Sequence, residues 1–144
     1  MRIFLIGYMG SGKSTIGLKL SHYLGCPFFD LDQIIEDHLG LRVNSIFHEK
    51  GEFFFREKEY DILRKHHFDR DSIIATGGGT PCFLNNLHYM NTIGITIYFK
   101  VSCEELLNRL KYDTKRPLIL NNNLNLSSFI NQQLNDREPY YLKS

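Results

Sequence analysis

One segment constrains this chain more than any other. Arg2 to Ile6 is a short apolar run that leads straight into Gly7-Tyr8-Met9-Gly10-Ser11-Gly12-Lys13-Ser14, a full match to G-x-x-x-x-G-K-[ST]. The match gains meaning from its context, a strand before it and a helix opening at its end. Glycines let the backbone curl so that several N–H groups converge. The helix N-terminus adds the positive end of its dipole. Such a loop cradles a polyphosphate, and Gly10, Ser11, Gly12, Lys13, Ser14 and Thr15 are its candidate nucleotide-binding residues. Lys13 is expected to reach the β- and γ-phosphates, and the Ser14 hydroxyl to ligate Mg2+.

Strand-like and helix-like patterns alternate through the rest of the chain. Lys13 to Leu24 reads as a helix, with Ile16, Leu20, Tyr23 and Leu24 as its apolar stripe and Gly25 as its stop. A strand over 27–30 follows, then a short helix carrying Ile34, Ile35, His38 and Leu39 and closed by Gly40. A longer helix spans 45–67, broken near Gly51. A strand over 72–76 runs into Gly77-Gly78-Gly79. Another strand covers 93–99, and helices cover 104–110 and 127–136. This alternation predicts an α/β fold with three layers, α/β/α, around a central parallel sheet of four strands. The ligand then belongs at the carboxyl ends of the strands. One domain spans 1–144. Its helical region at about 31–67 is expected to bind the acceptor. The polar, asparagine-rich segment at about 111–125 is expected to be a mobile lid.

Composition narrows the function. Seventeen basic residues against sixteen acidic ones leave a net charge of +1, so no global field draws the chain to nucleic acid or to an anionic membrane. Three cysteines without a C-x-x-C argue against a disulfide framework or a zinc site and fit a reducing cytoplasm. No apolar run is long enough to cross a membrane. A monomer acting on small molecules is the expectation.

A phosphate loop does not name a reaction. The N-K-x-D element that reads guanine is absent. Asp30-Leu31-Asp32 closes the second strand-like run, and residues i and i+2 of a strand share a side. Asp30 and Asp32 are therefore predicted to face one cleft, where one carboxylate can hold Mg2+ and the other can take a proton from an attacking hydroxyl. Alternatively, Asp32 caps the next helix. Arg56 and Arg137 offer guanidinium forks that suit a carboxylate. Gly77, Gly78 and Gly79 present backbone N–H groups with no side chain in the way. Phe47 and Phe55 could wall the pocket, and Glu59 could orient Arg56. Plainer alternatives stay open. Arg56 could pair with Glu52 and Glu59 on a helix surface, Arg137 could be a solvated charge, and the three glycines could form a simple tight turn. Arg116, in the polar segment, could close over the phosphates.

Taken in order, Gly7 to Thr15, Asp30-x-Asp32, Gly51-Glu52 with Phe55-Arg56-x-x-Glu59, Gly77-Gly78-Gly79, Arg116-Pro117-Leu118 and Arg137-x-x-Tyr140 resemble shikimate kinase, over Met1 to about Tyr141. The resemblance implies a P-loop kinase that moves the γ-phosphoryl group of ATP to the 3-hydroxyl of shikimate, in aromatic amino-acid biosynthesis, with Mg2+ as cofactor. It implies catalytic roles for Lys13, Asp32 and Arg116, with metal ligation by Ser14 and Asp30. Shikimate contacts fall at Asp32, Arg56, Gly78 and Arg137. Arg109 falls at the family's adenine-stacking position, although a solvated helix-end cation is its other reading. The alternatives in function are a gluconate kinase-like enzyme or a non-catalytic nucleotide-binding module. The resemblance also implies a fifth edge strand, an adenine loop and a last helix beyond Arg137-x-x-Tyr140. None of these lies within the 144 residues, and a further tail is the expected explanation.

Overall fold

A strand that is apolar on both faces must sit in a sheet covered twice. β1 (Arg2–Ile6) is that strand, with Phe4, Leu5 and Ile6 at most 1% exposed. In the computed structural model, which describes residues 1–113 and 125–144, β1 pairs with β3 (Ser72–Ala75) on one side and β4 (Gly94–Tyr98) on the other. β2 (Phe28–Asp30) lies outside β3, so the order is β2-β3-β1-β4 and every pairing is parallel.

The alternation of β1 divides the layers. Phe4 and Ile6 join a core with Ile35, Ile46, Leu63 and Met90, which come from α2 (Leu31–Leu39), α3 (Val43–Lys65) and α4 (Asn86–Ile93). Leu5 faces the opposite way, toward Gly17 of α1 (Lys13–Leu24). A smaller core around Tyr8 holds α5 (Cys103–Leu110) to α6 (Leu126–Tyr141). This is the expected three-layer arrangement. The chain leaves β1 toward β2 on one side and reaches β4 on the other. A crevice therefore opens at the carboxyl end of β1, the switch point where open α/β sheets bind ligands.

Four sequence expectations change. The stripe Ile16, Tyr23 and Leu24 on α1 points outward, at 46%, 86% and 51% exposure, while Lys13, Gly17 and Ser21 face the sheet. The reason is distance. A Cβ on Gly17 would lie 2.6 Å from the Phe28 ring and 2.8 Å from Leu5, so small residues mark the buried face. A 3-10 turn (Thr80–Cys82) and α4, neither anticipated, fill the connection to β4. α6 continues to the fully buried Tyr141 rather than ending at Asp136, because its polar turn at Asp136 to Glu138 precedes its last apolar anchor. β2 ends at Asp30, and Leu31 and Asp32 open α2 instead of closing the strand. The break in α3 does fall at Gly51, whose φ of 83° is outside helical geometry. Among the described residues no helix is long and apolar enough to cross a membrane.

Candidate active site

The phosphate loop leaves β1 through three glycines with positive φ, Gly7 at 141°, Gly10 at 79° and Gly12 at 97°. Only glycine adopts this series without strain. Gly12 is the N-cap of α1 and carries no side-chain cap, so the first amides of the helix stay directed toward the loop. Lys13 is buried, and its Nζ donates to the carbonyls of Gly7 at 2.8 Å and Tyr8 at 2.9 Å, with Ser11 Oγ 3.4 Å away. Thr15 is exposed on the first turn of α1. Arg109 reaches across from α5, where Nη1 donates to Gly10 O at 3.1 Å and Nε to Glu105 at 2.7 Å. It sits in the last turn of α5, as the helix-end reading expected, but it is paired with Glu105 and the loop rather than simply solvated.

The acidic pair is close together, but not for the reason its spacing suggested. Asp32 lies in the first turn of α2, so strand alternation does not apply to it. Asp30, not Asp32, is the cap of that helix, and its Oδ1 accepts from the Asp32 backbone N–H at 3.1 Å. The other oxygen of Asp30 accepts from Ser14 Oγ at 2.7 Å. Asp32 turns inward, and its Oδ1 is buried with no hydrogen-bond partner among the described residues. Burial, with Asp30 and Glu59 nearby, lifts its pKa to about 6 against the opposing pull of Lys13 and Arg56.

The three glycines after β3 join these parts. None of them has a positive φ, so backbone freedom is not what they supply. They supply space. A Cβ on Gly77 would stand 3.0 Å from Asp32 Oδ1, one on Gly78 would stand 3.4 Å from Arg137 Nη1, and one on Gly79 would stand 2.2 Å from Arg56 Nη2. The segment is a tight turn, with the Thr80 N–H donating to Gly77 O at 3.1 Å, and it also serves as a floor against which a carboxylate and two guanidinium groups pack in turn.

Arg56 is not a surface helix partner. It is 7% exposed, and Nη1 donates at 2.9 Å to Glu59, which is fully buried, while the Glu52 carboxylate lies 3.3 Å from Nη2. Nor is Arg137 a solvated charge. It is half-buried and lies over the Tyr8 ring, 5.5 Å from the centroid. Phe47 and Phe55 pack on each other with ring centroids 4.7 Å apart, and Arg56 lies 5.9 Å and 5.2 Å from their centroids. Phe55 is buried in the core, so Phe47, half-buried, is the better wall. Arg116 and residues 114–124 of the expected 111–125 lid lie outside the described residues.

Two residues of the site escaped the sequence. Tyr141 donates its hydroxyl to Gly78 O and ties α6 to the floor. The R-x-x-Y spacing pointed to Tyr140, which is 41% exposed, whereas helical i, i+4 spacing from Arg137 would have found Tyr141. Thr80 donates to Glu59 Oε1 at 2.5 Å, a contact with no signal in the sequence.

A kinase site for an acidic acceptor is what this geometry resembles, and comparison with known proteins agrees. The family model described as shikimate kinase matches residues 9–144. The chain belongs to the shikimate kinase family. It is therefore an ATP-dependent kinase with a P-loop. A shikimate kinase from Parabacteroides distasonis is 43% identical to it, covering 99% of this chain and 84% of the relative. One from Flavobacterium psychrophilum is 44% identical, covering 97% of this chain and 84% of the relative. The crystal structure of shikimate kinase from Bacteroides thetaiotaomicron superposes with a TM-score of 0.94 at 39% identity, covering 100% of this chain and 83% of that one. A shikimate kinase from Acinetobacter baumannii, solved in complex with shikimate, gives 0.90 at 33% identity, covering 99% and 78%.

Proposed function

We propose that this chain transfers the γ-phosphoryl group of ATP to the 3-hydroxyl of shikimate, through the residues gathered around the ends of β1 and β3. The observation that carries the residue assignment is the floor of Gly77, Gly78 and Gly79, with Asp32, Arg137 and Arg56 packed against it one after another. A small hydroxy acid needs such a set. Arg56 and Arg137 grip the carboxylate with charge-assisted hydrogen bonds, and the backbone floor lets the ring approach. Asp32 takes the proton from the attacking hydroxyl. A pKa near 6 leaves it ionised at neutral pH and more basic than an ordinary carboxylate. Lys13 and the loop amides hold the phosphates, and Arg109 and Arg116 flank them.

Ser14 and Asp30 fit a magnesium ion, since a hydroxyl and a carboxylate oxygen 2.7 Å apart on an exposed rim supply hard donors with room for water and phosphate oxygens. When bound, the ion would neutralise phosphate charge. Phosphoryl transfer of this kind is mostly positioning and charge stabilisation. The same reading includes one domain, acceptor-binding helices over about 31–67 and a lid over about 111–125. It also includes a cytoplasmic setting, which the free thiols of Cys26, Cys82 and Cys103 support.

A coupled ADP-release assay tests this reading, run with shikimate, with gluconate and other hydroxy acids, and without acceptor. Release that depends on shikimate, with the highest kcat/KM of the panel, is expected. A higher kcat/KM for a competitor would overturn it in favour of another small-molecule kinase. Nucleotide binding without shikimate-dependent release would indicate a non-catalytic module.

A further inference from the structure

We propose that Phe83 is a positioning residue for the acceptor carboxylate, acting through the guanidinium of Arg56; this rests on the assignment of Arg56 above. The turn that follows the glycine floor wraps around that guanidinium. Gly79 opens the turn so close to Arg56 that no Cβ fits between them. Phe83 closes it, with its ring centroid 4.4 Å from Arg56 Cζ, nearer than the rings of Phe55 or Phe47. An aromatic face at this distance attracts a cation through the ring quadrupole and restricts the plane of a guanidinium fork.

Hydrogen bonds hold that plane unevenly. Glu59 takes Nη1 at 2.9 Å, but the contacts of Nε and Nη2 with Glu52 are long, at 3.4 Å and 3.3 Å. The Glu52 side chain is also 54% exposed. Phe83 adds a restraint on the face of the guanidinium.

The structure holds Phe83 in place at both ends of its turn. Before it, Thr80 donates to the buried Glu59. After it, Leu84 and Asn85 take left-handed φ values of 49° and 57°, an uncommon conformation for residues with a Cβ. Asn86, fully buried, then accepts from Arg64 Nη1 at 2.7 Å, and the Arg64 guanidinium lies over the rings of Tyr60 and Tyr89. Arg56, Glu59 and Arg64 all belong to α3. One helix therefore carries the acceptor arginine and both anchors of the turn that bears Phe83.

The test compares Phe83→Leu, Phe83→Tyr and Arg56→Ala in steady-state kinetics with shikimate and with its methyl ester, which lacks the carboxylate charge. Phe83→Leu is expected to raise the shikimate KM about fivefold or more. KM for ATP and kcat should stay within about twofold, and the preference for shikimate over the ester should shrink. Phe83→Tyr, which keeps the ring face, should restore both. Because Phe83 is 36% exposed, its replacement spares the core. If Phe83→Leu nonetheless loses folded protein, the Phe83→Met comparison, bulky but without a ring, is read in its place. An unchanged shikimate KM and ester preference in Phe83→Leu, with Arg56→Ala impaired, would overturn the role of Phe83 and leave the acceptor assignment standing. An Arg56→Ala variant with unchanged shikimate KM would overturn both.

Discussion

Asp32→Asn separates the stability of this protein from its chemistry, because the carboxylate proposed to take the hydroxyl proton is also a buried charge. Its pKa is raised from an ordinary 3.8 to about 6, with burial the main cause. Below about pH 4 the group is protonated whether the chain is folded or not. Between about 4 and 6 the folded protein keeps a proton that the unfolded chain has lost. Above 6 both states are ionised, and the folded state carries the full cost of the buried charge. Stability contributed by this group therefore falls as pH rises through that window. A shift of about two units corresponds to roughly 3 kcal/mol at 1.36 kcal/mol per unit. Asparagine keeps the shape and carries no charge. Urea denaturation at pH 7.5 should find Asp32→Asn more stable by up to ~3 kcal/mol, on the order of 6–10 °C in Tm. At pH 4 the two proteins should converge. The same variant should lose about two to four orders of magnitude in kcat, and the acidic limb of the parent's kcat/KM profile, with an apparent pKa near 6, should vanish. A variant no more stable than its parent at pH 7.5, or a difference that does not shrink toward pH 4, would refute the reasoning.

Other substitutions test the packing. Gly79→Ala puts a Cβ 2.2 Å from Arg56 Nη2, so the guanidinium must move. The shikimate KM should rise about tenfold or more with KM for ATP unchanged, and an unaltered acceptor KM would contradict the close packing. Gly17→Ala gains ~1 kcal/mol in helix propensity. It also forces a Cβ to 2.6 Å from the Phe28 ring and 2.8 Å from Leu5, and overpacking of that kind costs about 1–3 kcal/mol. A net loss of ~1 kcal/mol in chemical denaturation is expected, and a higher Tm would show that the helix can move away. Tyr141→Phe removes the hydroxyl bonded to Gly78 O and should cost about 1–2 kcal/mol, read as a lower urea midpoint; an unchanged midpoint would mean that the bond contributes nothing.

The phosphate loop, the order of the strands and of the helices other than α4, and the break at Gly51 were legible because each is written in neighbouring residues. Glycines at fixed offsets, apolar runs and breakers act locally, so a local reading recovers them. Arg56, Glu59, Asp32 and Arg137 were legible as chemistry, and helical spacing foresaw the pairing of Arg56 with Glu52 and Glu59, but not that Arg56 and Glu59 are buried. Whether an arginine on a helix pairs with its own turn or is buried depends on what the fold brings against it. Asp32 reaches the site as a first-turn helical residue, although strand alternation suggested another route. The apolar stripe of α1 misled for a related reason: the approach of Phe28 and Leu5 decides which face is buried, and periodicity contains no distance. Thr80, Phe83 and Tyr141 acquired their contacts only when the sheet and α3 set the loop after β3 against Arg56, and when α6 packed back onto Gly78. The sequence by itself determined the loop that grips phosphate and the residue types that can hold an acid. The tertiary structure decided which side chains meet over the glycine floor, because burial and through-space contact arise between segments far apart in the chain.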